Sequence, residues 1–141
     1  MLVLAIGLLG LAGLQATGLK NNQSAYNRSQ ATQLAYDLAD RMRANVAGVA
    51  TYTAILPSAA TAKANCLTTT GCIAADMAEN DLFEWNSAIS NVLPSGSGSI
   101  CLGAGCTPAA AANVFKVTIT WDDDRDGAND NNLSFQTYFQ L

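Results

Sequence analysis

The chain has 141 residues, a length that suits one domain, and a net charge of −4 with only seven scattered Lys and Arg, so nucleic-acid binding through a basic patch is excluded. Hydrophobic residues make up 50% and charged residues 13%, too apolar for disorder, with a surface left to Asn, Thr, Ser and Gln. There is no histidine, which removes the commonest general base, the usual triads and the mixed Cys–His zinc site, so a non-catalytic chain without a cofactor is expected.

From Met1 to Leu14 every residue is apolar or glycine, and the first charge is Lys20. A bilayer core needs ~20 such residues in a helix, so the run reads as part of a membrane helix or as a signal-peptide hydrophobic region. No Pro or Gly interrupts Leu19 to Asn45, and one helix is expected to continue out of the apolar run and end near Gly48. A signal peptide cut near Ala16 would need a positive charge before the run and a break after it, and neither is present. Within the helix Ala31, Leu34, Ala35, Leu38 and Met42 recur on one face, and Asp37 and Arg41 sit one turn apart.

Residues 48 to 75, rich in Ala, Thr and Ser with Pro57, read as a long connection holding Cys66 and Cys72. A second helix is expected from Ala75 to about Asn91, with Ala78, Leu82, Trp85 and Ile89 on one face and Asp76 and Glu79 at the positive end of its dipole. Pro94 and the following SGSGS read as a flexible turn, and no Lys follows to make a phosphate loop. Val114 to Trp121 sets Val114, Lys116, Thr118 and Thr120 against Phe115, Val117, Ile119 and Trp121, the clearest strand pattern in the chain. Leu133 to Leu141 alternates similarly, which predicts a terminal antiparallel hairpin.

Four cysteines in an exported chain imply two disulfides with three possible connectivities. The local pairing Cys66 with Cys72 and Cys101 with Cys106 is favoured because each pair brackets a short glycine-containing loop. A zinc site would need closer cysteine spacing. The run from Asp122 to Asp130 contains D-x-D-x-D-G, the opening of a calcium loop, but Leu133 stands where that loop needs a bidentate Glu. A solvated turn is the simpler reading.

The segment LVLAIGLLGLAGLQATGLKNNQSAYNRSQATQLAYDLADRMRAN resembles the first mature helix of PilV-type minor pilins of type IV pili. The Trp85 helix, the LPSGSGSI turn and the VTITWDDD strand agree with that family in outline. The resemblance implies an α+β pilin fold: a long N-terminal helix packed on a small antiparallel sheet, with a disulfide-bonded, loop-rich head. Residues 1–18 would form a partial transmembrane or filament-core helix, and 19–141 the head with the C-terminal half of the helix. Family members start with a basic leader, a Gly at the cut and a Phe-Thr-Leu-Ile-Glu-like run. Met1 corresponds to a point inside the mature helix, so the chain reads as N-terminally truncated, with further apolar residues expected upstream.

The resemblance further implies a single-pass inner-membrane protein with a periplasmic head that passes into the cell-surface pilus, at its tip. Its partners would be other minor pilins and the major pilin through helix packing, and the inner membrane before assembly. It would prime pilus assembly and support twitching motility, adhesion or DNA uptake. Gly7, Gly10 and Gly13 fall on one broad helical face where a neighbouring helix could approach closely. A type II secretion pseudopilin and a small secreted disulfide-bonded domain are the alternatives.

Overall fold

The computed structural model describes residues 2–124 and 133–141. Helix α1 spans Leu2–Ala44, 43 residues, or about 65 Å at ~1.5 Å per residue. It runs unbroken because no proline interrupts its hydrogen bonds, and Arg41 and Arg43 in its last turn suit the negative end of its dipole. The turn that ends it is held from outside, where Asn45 Nδ2 donates to the Ala74 carbonyl at 2.8 Å. Gly48 lies against the same carbonyl, and a side chain there would collide with it.

A short helix α2, Val49–Ala54, follows within the stretch expected to be connection. It buries a single side chain, Tyr52, and six residues carry too little periodicity to mark a helix in sequence. Helix α3 spans Ala74–Val92, close to the expected bounds. The strands β1 (Ser97–Leu102), β2 (Phe115–Trp121) and β3 (Leu133–Phe139) form one antiparallel sheet in the order β1-β2-β3. The β2–β3 pair, with Phe115 opposite Phe139 and Trp121 opposite Leu133, is the hairpin expected from alternation. Strand β1 corrects the reading of SGSGS as a flexible turn, since Ser97 to Leu102 pair with Thr120 to Phe115.

The core lies where α1 and α3 cover one face of the sheet. Helix α1 contributes Ala31, Ala35, Leu38 and Met42, and α3 contributes Ala78, Leu82, Trp85 and Ile89. Strand β2 supplies Phe115, Val117, Ile119 and Trp121. These are the faces that the spacing marked. Trp85 fixes the layers against one another, because its indole Nε1 donates to the Leu34 carbonyl at 2.8 Å while its ring lies over Gly98. The long helix packed on a small antiparallel sheet, with two disulfides, is the expected α+β fold.

The expected single-pass membrane helix is overturned. Among the described residues no helix is long and apolar enough to cross a membrane. The apolar run gives way after Leu14 to Gln15, Lys20, Asn21, Asn22 and Gln23, so the continuation of α1 is helical but polar.

Candidate functional site

Helix α1 has two halves that differ in what covers them. From Asn27 onward it presents buried residues to the head, whereas every residue from Ile6 to Gln23 is exposed. Ile6 is 69% exposed, Leu9 73%, Leu14 73% and Leu19 70%. Large side chains lie on all sides of the helix up to Leu19, and a helix apolar all round belongs in the interior of something larger. Gly7, Gly10 and Gly13 have no atom within 4 Å of where a Cβ would stand. At 100° per residue they fall within about 120° of the circumference, a strip along which a second backbone can approach.

A second constellation joins the lower half of α1 to the head. Arg41 donates through Nε to Asp37 Oδ2 at 3.0 Å and through Nη1 to Asp81 Oδ1 at 3.0 Å and Glu84 Oε2 at 2.8 Å. The buried Tyr52 hydroxyl donates to the other oxygen of Asp81. Burial opposes the charge on Arg41, but the hydrogen bonds to Glu84 and Asp81 and the nearby Asp37 outweigh it and raise its pKa. The bond from Arg41 holds the Glu84 carboxyl below its ordinary value against a smaller opposing effect of burial. Burial first, then the bond to Asp81, pushes the Tyr52 phenol up. Sequence spacing indicated only the Asp37–Arg41 pair. Asp81 and Glu84 flank the apolar face of α3, and nothing local marks them as partners of a residue 40 and 43 positions away.

Cys66 is bridged to Cys72 and Cys101 to Cys106, with Cα–Cα distances of 4.7 Å and 5.1 Å. Thr107, the residue that follows the second bridge, meets the polar face of β2, a contact that alternation missed. Lys116, on the polar face of β2, is only 4% exposed. Its ammonium donates to the Thr107 carbonyl at 2.8 Å and lies 6.0 Å from the Tyr138 ring centre.

Of the candidate calcium loop, Asp126, Gly127 and Asp130 lie outside the described residues. Asp123 Oδ1 accepts from Trp121 Nε1 at 3.1 Å and from Asn27 Nδ2 at 3.3 Å. Burial would raise its pKa, but bonds from Ser24, Trp121 and Asn27 prevail and lower it. Among the described residues no group of three or more His, Cys, Asp or Glu could hold a metal ion. An open cleft of about 240 Å³ lies among Val46, Val49, Leu102, Asn113, Phe115 and Leu141, with no titratable side chain in its lining. The exposed half of α1 is therefore the strongest candidate site.

Residues 13–83, half of the chain, match the Tt1218-like family, described as type IV pilin Tt1218. The match covers most of α1 and continues into α3. No curated protein and no solved structure matches the chain.

Proposed function

The chain belongs to the Tt1218-like family of type IV pilins, and on that premise we propose that it is a minor pilin of the PilV type, a non-catalytic subunit that helps prime pilus assembly. The observation that carries this reading is the exposed upper half of α1. Ile6, Leu8, Leu9, Leu11, Leu14 and Leu19 are all more than half exposed. Covering each is worth ~2 kcal/mol relative to water, or on the order of 10 kcal/mol together before the cost of association. The head leaves this half of the helix uncovered, so its apolar surface is left to lipid before assembly and to neighbouring subunits after it. The partners are then other minor pilins and the major pilin, with the head in the periplasm and later on the cell-surface pilus at its tip. Motility, adhesion or DNA uptake follow from the pilus rather than from chemistry in this subunit.

The test is deletion and point replacement in the producing bacterium. Loss of the protein is expected to reduce surface pili sharply and to abolish co-purification of the remaining minor pilins as a set. Gly10→Leu is expected to do the same with the head still folded, since a Cβ there meets nothing within 4 Å while the added bulk holds a neighbouring helix away. Normal pilus number and unchanged co-purification after clean deletion would refute the priming role.

A further inference from the structure

The segment from Thr61 to Cys72 differs from the rest of the head in how it is held. None of its residues is buried, and none belongs to the hydrophobic core, whose nearest member in the chain is Ala60. The described hydrogen bonds and ion pair that fasten it to the rest of the head all run to one face of α3. Glu79 Oε1 accepts from both the backbone N–H and the hydroxyl of Thr61. Glu79 Oε2 pairs with Lys63 Nζ at 2.8 Å. The Lys63 N–H donates to Asn80 Oδ1 at 2.9 Å, and Asn65 Nδ2 donates to Asp76 Oδ2 at 3.2 Å. Internally the segment is self-contained. The Cys66–Cys72 bridge closes it, and turn bonds run from Cys66 N–H to Lys63 O, Thr68 N–H to Asn65 O and Gly71 N–H to Thr68 O.

We propose that residues 61–72 form a charge-held strap that opens and closes on α3 as one disulfide-closed unit, hinged at Ala60 and Ile73, with Glu79 as its catch. A unit without buried apolar contacts sits at the low-stability end of a fold and opens without global unfolding. Apart from the Lys63–Asn80 bond, its fastening goes to the carboxylates of Glu79 and Asp76. The groups that face it or its seat are Lys63 on the strap, Asp76, Glu79, Asp81 and Glu84 on α3, Asp37 and Arg41 on α1, and Tyr52 on α2. Glu84 acts at one remove, by accepting from Asn80 Nδ2 at 3.0 Å. The bonds from Lys63 and then Thr61 hold the Glu79 carboxyl below its ordinary value. The fastening is therefore complete above the usual carboxylate range and is lost as pH falls through the folded value of Glu79. High salt weakens it in the same direction. Opening uncovers the acidic side of α3 and carries Leu67, 77% exposed, away from the head.

The Thr61 and Lys63 amides report directly, because each donates to a side chain of α3. In the full oxidised chain, their hydrogen-exchange protection factors are expected to fall at least tenfold between pH 6 and pH 3, and to fall in 1 M NaCl at pH 6. The Leu93 amide, which bonds to the Ile89 carbonyl, is expected to keep its protection. Glu79→Gln is expected to remove the Thr61 and Lys63 protection difference between the two pH values, with Leu93 again unaffected. Simultaneous loss at Thr61 and Leu93 would show that the strap is no separate unit. Protection at Thr61 that persists to pH 3, or a Glu79→Gln chain that keeps the wild-type pH response, would show that Glu79 is not the catch.

Discussion

Gly98→Ala places one methyl group against the packed ring of Trp85. The new Cβ would stand 2.5 Å from Trp85 Cζ3, 2.7 Å from Ile89 Cδ1 and closer still to Trp85 Cη2. Real Cβ contacts do not approach so closely, so the indole must move. It has little freedom to do so, being 1% exposed and tied by Nε1 to the Leu34 carbonyl. Overpacking of this kind costs ~1–3 kcal/mol, and the smaller entropy of the unfolded Ala chain returns ~0.5–1 kcal/mol. The net loss is about 1–2 kcal/mol at mid-range, which at ~2.1 cal/mol/K per residue over the chain lowers Tm by roughly 3–7 °C. Thermal unfolding followed by near-ultraviolet circular dichroism measures it, with Gly105→Ala as control. A Cβ at Gly105 meets nothing within 4 Å, and its Tm is expected to hold or rise slightly. A Gly98→Ala Tm at or above wild type, or an equal fall in Gly105→Ala, would refute the packing argument.

Arg41→Met removes the cation shared by Asp37, Asp81 and Glu84, and leaves Asp81 with Tyr52 as its remaining hydrogen-bond partner. Breaking a buried pair costs ~3–5 kcal/mol, but solvent screens this partly exposed one, so urea unfolding is expected to show a loss of ~1–3 kcal/mol that Asp81→Asn partly restores. Replacing Cys101 and Cys106 by Ser opens a loop of sequence separation 5, and chain entropy sets the expected loss at ~2 kcal/mol in the same assay. Since the folded Glu84 and Asp123 carboxyls lie below their ordinary values, their stabilisation is present above the usual range and is lost as pH falls through the folded values. Tm is therefore expected to drop below about pH 4. Tyr52 has the opposite sign: its raised phenol stabilises below the ordinary value, and a Tm–pH profile is expected to decline above about pH 10.

Periodicity found the elements whose pattern is set by burial on one side. Ala31, Leu38 and Met42, then Leu82, Trp85 and Ile89, repeat at helical spacing because the head covers one face of each helix, and β2 alternates because only one of its faces meets those helices. Strand β1 escaped because its pairing depends on what it lacks. Gly98 is there to leave room for Trp85, a requirement that composition reads as a turn. The burial of Lys116 escaped because its ammonium is held by the carbonyl of a loop residue, Thr107, and the Asp81 and Glu84 partners of Arg41 escaped because they lie at least 40 positions away in the chain. The candidate site is legible as the apolar run, which ends at Leu14, short of the ~20 residues a bilayer core needs; the single-pass reading comes from the family resemblance rather than from these residues.

The placement of the disulfides has a mechanical consequence. Each bridge closes a loop on itself, residues 66–72 and 101–106, and neither links α1 to any other element. A pull on the protruding end of α1 would enter the head along the helix axis and load its contacts with α3 and the sheet in shear. Resistance would then come from the knobs of Leu38 and Met42, the Trp85–Leu34 hydrogen bond and the Arg41 ion pairs, all of which re-form after slipping. The subunit has covalent bonds where its surface loops need shape and reversible ones where tension would pass.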